Sequence, residues 1–158
     1  MSNVDMKHAK LMFNTMKQMM DDEDWKYSAD EENLTIKSGL ADDLDLIYYM
    51  SIDAEREMVR LWSTLPFTVP EDKRVDCAVA ACVANNGMIV GSFQYDISDG
   101  EFCFKAASSF AGGSRLSKEA FKDIMFLALS SIKNYNDRFF MVAKGMMTLQ
   151  QFIEKEGE

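Results

Sequence analysis

The spacing of apolar residues changes its period several times along the chain. Between residues 6 and 20, apolar side chains recur at steps of three and four, which is the spacing of one face of a helix. The residues of this face are Met6, Ala9, Phe13, Met16 and Met20. The acidic run at residues 21–24 interrupts the pattern. We therefore predict an amphipathic helix that ends near residue 20.

Four short segments with the period of a β-strand follow, each separated from the next by polar or acidic turn residues. They span residues 25–29, 33–38, 44–53 and 57–65. Pro66 and Pro70 close the series. The pattern predicts an antiparallel meander.

A β-hairpin is predicted over residues 91–106. Two alternating runs flank the turn Ser98-Asp99-Gly100, and the glycine suits a tight connection. Phe102 and Phe104 share the side that faces a core, so Cys103 points to the opposite side. We expect Cys103 to be a packing residue that faces solvent or a partner.

Three further helices are predicted. One spans about 71–86, because the acidic residues Glu71 and Asp72 stabilise the first turn of a helix through its dipole. Ser117 is the expected N-cap of a long helix. Thr148 and Gln151 form a capping box ahead of a last short helix. The predicted fold class is therefore α+β, with the element order α-β-β-β-β-α-β-β-α(α).

Length and charge narrow the range of functions. The chain has 158 residues, of which 47% are hydrophobic, and this predicts one domain over residues 1–158. The net charge of −9 opposes binding to nucleic acids and to anionic membrane surfaces. No apolar stretch approaches the roughly 20 residues of a membrane helix. We expect a cytoplasmic protein that binds neither nucleic acid nor membrane.

Catalytic chemistry is not predicted. His8 is the only histidine, and it lies beside lysines on the first helix, where a solvated side chain is expected. Acidic residues are bunched in turns, which is typical of a solvated surface. Cys77, Cys82 and Cys103 form no C-x-x-C pair and are expected to be reduced structural thiols. We predict no enzyme activity, no cofactor and no metal site.

A glycine-rich loop before the long helix is the best candidate for a small-ligand site. Backbone N–H groups at such a helix start can hold an anion, and an arginine can neutralise it. The candidate residues are Gly112, Gly113, Ser114, Arg115 and Ser117. The alternative is a flexible loop that leads into a capped helix.

The outer side of the sheet carries more apolar residues than a solvated face requires. Ile47 and Tyr49 interrupt the polar side of the third predicted strand, and Trp62 adds a large residue on the next. We predict that these three side chains form a docking surface for a partner or for a second copy of the chain. The alternative is that the C-terminal helix covers them.

The second helix lacks charge on both of its long faces. We expect Val75, Val79, Cys82 and Asn86 to face the sheet, which leaves the opposite face to Cys77, Ala80, Ala81 and Ala84. These four small residues are predicted to form a homodimer interface, since an isologous contact brings a patch onto its own copy. Residues 137–156 of the same chain are the alternative cover.

Several short motifs carry a family resemblance. A helix ends near Asn85, a strand opens with Gly91-Ser-Phe93, and the turn Asp99-Gly100-Glu101 precedes the next strand and the helix at 117–136. These features resemble the YbjN family, described as bacterial sensory transduction regulators. The resemblance implies the fold of type III secretion chaperones, a twisted antiparallel sheet with helices on it. It also implies a homodimer that binds protein segments without catalysis.

The sequence thus predicts a non-enzymatic protein-binding module, a chaperone-like adaptor or regulator. Two other functions stay open. One is a small-ligand or anion sensor that uses the 112–117 loop, and the other is a purely structural subunit.

Overall fold

The computed structural model describes residues 5–40 and 45–157 and confirms the α+β fold class. In chain order the elements are α1 (Met6–Asp22), β1 (Tyr27–Asp30), β2 (Thr35–Leu40), β3 (Leu46–Asp53), β4 (Met58–Thr68), α2 (Arg74–Asn86), β5 (Ser92–Asp96), β6 (Glu101–Ser109), α3 (Lys118–Ala143) and α4 (Leu149–Glu156). This is the predicted order of helices and strands. Short 3-10 turns at 71–73 and 111–113 precede α2 and α3.

The strands form a six-stranded sheet in the order β1-β2-β3-β4-β6-β5. The first four strands are consecutive neighbours, as the predicted meander requires. Several boundaries differ from the prediction; β2, for example, was predicted over 33–38 and spans Thr35–Leu40. Strand β4 does not stop at Pro66 but continues through it to Thr68, and Leu44, predicted to open the third strand, lies outside the described residues.

Contacts within the chain divide it into two compact units. Unit one contains Met1–Ser63 and Ala106–Leu127, and unit two contains Thr64–Lys105 and Ala128–Glu158. Strands β4 and β6 and helix α3 have residues in both units. The single domain expected from the sequence stays a prediction.

The core of unit one is formed by α1 and the inner face of the first strands. Ile36 on β2 pairs with Met50 on β3, Met50 pairs with Leu61 on β4, and all three side chains are almost fully buried. Helix α1 supplies a methionine-rich row of buried residues: Ala9, Met12, Phe13, Met16, Met19 and Met20. Methionine suits this place because its flexible side chain fills irregular gaps.

The core of unit two is aromatic. Phe102 stacks on Phe139 with ring centroids 4.4 Å apart, and Phe139 stacks on Phe152 at 5.5 Å. Glu156 near the end of α4 accepts a hydrogen bond from the Tyr135 hydroxyl at 2.7 Å and forms an ion pair with Arg138. These contacts hold α4 against the last turns of α3.

Helix α4 begins with the predicted capping box. The Thr148 hydroxyl accepts from the Gln151 N–H at 3.1 Å, and the Gln151 side chain accepts from the Thr148 N–H at 2.9 Å. Two helix-start N–H groups are satisfied in this way, which stabilises a helix too short to be stable alone.

The turn of the β5–β6 hairpin is held by an arginine of α2. The Arg74 guanidinium donates to the carbonyl oxygens of Ser98 at 2.5 Å and of Asp99 at 3.3 Å. Gly100 has a φ of +81°, and a Cβ at this position would lie 2.4 Å from the Val69 carbonyl oxygen. Only glycine fits this turn.

Candidate functional site

The predicted docking residues of the sheet lie together on the outer face of unit one. Tyr49 on β3 pairs in register with Trp62 on β4, and their rings stack with centroids 5.3 Å apart and planes 12° from parallel. Lys37 pairs with Tyr49 from β2, with its ammonium 5.9 Å from the ring centroid. Ile47 lies two residues before Tyr49 and therefore points to the same face. We call Ile47, Tyr49 and Trp62 the aromatic face.

The aromatic face is open to a ligand. Ile47 is 45% exposed, and both aromatic residues are half-buried. Residues of the same two strands that point inward, such as Met50 and Leu61, are almost fully buried. The two rings support each other by stacking, and Lys37 lies beside Tyr49 on the neighbouring strand. Stacked rings on a firm sheet offer apolar area at a low cost in conformational entropy.

The predicted faces of α2 are reversed. Cys77, Ala80, Ala81 and Ala84 are at most 4% exposed, whereas Val75 and Val79, expected to face the sheet, are 66% and 39% exposed. The helix packs within unit two against α4 and β5. The small side chains turn inward because they let neighbouring elements approach closely. The four residues are therefore core residues of a single chain, and this face is not available for a dimer contact.

The side of α2 that faces outward is apolar. Val75, Val79 and Cys82 follow one another at three- and four-residue spacing and are exposed. A shallow groove of about 530 Å³ lies at the end of this row, lined by Cys82, Val83, Asn85 and Asn86. We call Val75, Val79 and Cys82 the outer face of α2.

The glycine-rich loop leads into α3 through the predicted N-cap residue, Ser117. The Ser117 hydroxyl accepts a hydrogen bond from the Ala120 N–H at 3.2 Å. Gly112 and Gly113 have φ values of +69° and +75°, and Ser114 and Arg115 are exposed. Anion binding by the backbone of this loop stays a prediction.

His8 is not the free surface residue that was expected. Its side chain is half-buried, and Nε2 lies 2.8 Å from the Ser114 carbonyl oxygen, to which it donates because a carbonyl can only accept. The edge of the ring also meets Phe110, with centroids 5.5 Å apart. His8 therefore fastens the glycine-rich loop to α1. No sequence pattern indicates this contact, since the partners are 106 positions apart.

The cysteines differ in their surroundings. Cys103 is half-buried between the buried Phe102 and Phe104, and its Sγ donates to the Phe104 carbonyl oxygen at 3.6 Å. Burial raises the pKa of the Cys77 thiol to about 12. Cys82 is exposed. Among the described residues, no group of three or more His, Cys, Asp or Glu side chains is placed to hold a metal ion.

None of the helices in the described part of the chain is both long and apolar enough to cross a bilayer.

No protein-family model and no curated protein matches the sequence. Solved structures do match the fold.

One matching chain belongs to the HopA1–SchA chaperone–effector complex, at 16% identity and a TM-score of 0.58, with 85% of this chain and 98% of that chain covered. Another belongs to the ExsC–ExsE complex, at 16% identity and a TM-score of 0.59, covering 82% and 93%. YbjN from E. coli matches at 10% identity and a TM-score of 0.58, covering 83% and 88%. The chain has a YbjN-like, type III secretion chaperone-like fold. The fold implied by the motifs around Asn85 and Gly91 is thus confirmed.

Proposed function

We propose that this YbjN-like protein is a non-enzymatic, chaperone-like adaptor that holds a segment of another protein on its aromatic face. The observation that carries the proposal is the stacked pair Tyr49–Trp62, with the 45% exposed Ile47 on the same face of the sheet. Two of the similar folds come from complexes of two proteins, one of them called a chaperone–effector complex, which supports a protein as the ligand.

The chemistry of the aromatic face fits a peptide better than a small polar ligand. Tyrosine and tryptophan are the residues that most often dominate protein interfaces, since their large rings lose water on contact while the polar atoms keep a partner. Lys37 at the rim adds a positive charge that suits a segment with acidic residues beside its apolar anchors.

A homodimer is the second part of the proposal. The outer face of α2 supports it as a contact surface, because Val75, Val79 and Cys82 are apolar and exposed on one side of a helix. An isologous contact between two copies would cover this row in both chains at once. The homodimer of the proposal thus uses the face opposite to the four small residues.

Two other functions predicted from the sequence have less support. A small-ligand sensor built on the backbone of the 112–117 loop has no enclosed site there, since the loop residues Gly112 to Arg115 are exposed. A purely structural subunit leaves the open aromatic face unexplained. The cytoplasmic location and the bacterial origin stay predictions.

The test is affinity purification of the tagged protein from the cells that produce it, with its bound proteins identified by mass spectrometry. We expect at least one protein to be retained by the wild type and lost from Trp62→Glu. Lys155→Glu, an exposed position on α4, serves as the control and should retain the same protein. Equal retention by both variants would refute the assigned face.

A further inference from the structure

A groove on unit one collects positive charge in an otherwise acidic protein. It has a volume of about 380 Å³ and is lined by Asp5, Lys7, His8, Lys10, Leu11, Asn14 and Arg115. Three of these side chains are cations, whereas the chain as a whole carries a net charge of −9. The groove is thus a local reversal of the protein's charge.

The three cations share the groove with one carboxylate, that of Asp5, and form no ion pair with it. No described carboxylate lies within ion-pair distance of Lys7, Lys10 or Arg115. The other lysines of α1 and the first turns of α3 behave differently: Lys17 pairs with Glu31 at 2.5 Å, Lys118 pairs with Asp22, and Lys122 pairs with Glu23. With 26 acidic residues in the chain, pairing partners are abundant. Lys7, Lys10 and Arg115 thus line one groove together, with Asp5 as the carboxylate beside them.

The backbone on both sides of Arg115 is held against α1. The residue before it, Ser114, accepts the hydrogen bond from His8 at 2.8 Å. The residue after it, Leu116, directs its N–H to the Met12 sulfur at 3.4 Å. Both contacts bind the loop to α1, the helix that carries Lys7 and Lys10. The guanidinium and the two ammonium groups are thus brought to one groove by the fold.

The groove is made of side chains and does not depend on the start of the helix. The carboxylate of Asp5 already accepts the His8 N–H at 2.9 Å and caps α1. An incoming anion would therefore meet Arg115, Lys7 and Lys10, with the Asn14 amide as a further donor. The groove has three cations and one carboxylate, and this excess of positive charge favours a ligand group that carries two negative charges.

We propose that this groove binds a phosphate group, with Arg115 as its bidentate donor and Lys7 and Lys10 as the neutralising charges. The planar guanidinium fork matches the geometry of phosphate oxygens, and lysine acts beside it as a mobile point charge. The phosphate can belong to a free phosphate compound or to a phosphorylated residue. This site is independent of the aromatic face.

The experiment is titration of the full chain with inorganic pyrophosphate and, separately, with phosphoserine, followed by NMR chemical shifts and calorimetry at constant ionic strength. We expect saturable binding of at least one of them, with shifts centred on residues 7–14 and 114–116. Preference for pyrophosphate would assign the site to free phosphate compounds, and preference for phosphoserine to phosphorylated residues.

Arg115→Gln is expected to weaken binding by about tenfold or more, because the neutral amide cannot replace the charged, bidentate hydrogen bonds of the guanidinium. Lys105→Gln removes the same charge at an exposed position in unit two and should change affinity little. Circular dichroism checks that both variants fold. The proposal is overturned if neither ligand binds saturably, or if both variants weaken binding equally, since a general charge effect would then suffice.

Discussion

The side-chain amide of Asn85 is hydrogen-bonded to both backbone groups of Phe93. Its nitrogen donates to the Phe93 carbonyl oxygen at 2.8 Å, and its oxygen accepts from the Phe93 N–H at 2.8 Å. Phe93 lies on β5, the last strand of the sheet. The asparagine therefore takes the place of a neighbouring strand at this edge. An incoming strand cannot pair with Phe93 while Asn85 occupies it.

Asn85→Ala is expected to lower the free energy of unfolding by about 1–3 kcal/mol, because it leaves a donor and an acceptor of a part-buried strand without partners. Asn86→Ala, which truncates the adjacent exposed side chain, is the matched control and should have little effect. Urea unfolding of the two variants measures the difference. Equal destabilisation would mean that the alanine change acts through the end of the helix and not through Phe93.

Two glutamate substitutions on α2 separate its core face from its outer face. Ala81→Glu should unfold unit two or strongly destabilise it, because Ala81 is 4% exposed and the charge would be buried without a partner. Val79→Glu should keep the fold and convert the proposed homodimer to a monomer. Light scattering and thermal unfolding distinguish the two effects. A wild-type mass equal to the 18.0 kDa of one chain at micromolar concentration would contradict the homodimer.

The three thiols should react in a defined order. Cys82 is exposed and should be alkylated first, the half-buried Cys103 more slowly, and Cys77 only when the protein unfolds. Burial raises the pKa of Cys77 to about 12, so its reactive thiolate is scarce in the folded protein at neutral pH. Peptide mapping after timed alkylation gives the order. Rapid labelling of Cys103 ahead of Cys82 would indicate an activated thiolate and contradict its role as a packing residue.

Tyr95 makes stability sensitive to alkaline pH. Burial, with a contribution from the nearby Cys77, raises the pKa of its hydroxyl from 10.0 to about 12. The folded chain then holds a proton that the unfolded chain releases, so the free energy of unfolding falls as pH rises from 10.0 to about 12. Tyr95→Phe should lose less stability between neutral pH and about pH 11 in urea unfolding. A variant with the same alkaline loss as the wild type would show that Tyr95 does not contribute.

The strands and helices were predictable because their apolar residues keep a clear period. The inner row Ile36, Met50 and Leu61 and the outer pair Tyr49 and Trp62 fall on opposite faces by alternation alone. The motif that carried the family resemblance also has a physical basis, since Asn85 binds the backbone of Phe93. Gly91 belongs to the same motif: its φ is +77°, and a Cβ there would lie 2.5 Å from the Phe104 ring.

The remaining features depend on contacts that periodicity does not encode. Two opposite faces of α2 are uncharged, so the sequence pattern does not show which one is buried. The face with the small residues Ala80, Ala81 and Ala84 is buried because small side chains allow close packing. The cationic groove joins α1 to Arg115 across more than 100 positions of sequence. The meeting of Lys7, Lys10 and Arg115 in one groove becomes visible only in the folded chain.

Photocrosslinking within the producing cells shows directly whether the aromatic face contacts another protein. A photoreactive phenylalanine analogue is placed at Tyr49, at Trp62, and at the exposed turn position Glu55 as a control. Binding of a partner on the aromatic face predicts adducts with the same partner protein from positions 49 and 62, none from position 55, and loss of the adducts when Ile47→Glu is added. Adducts of equal yield from all three positions, or adducts only with a second copy of the chain, would contradict it.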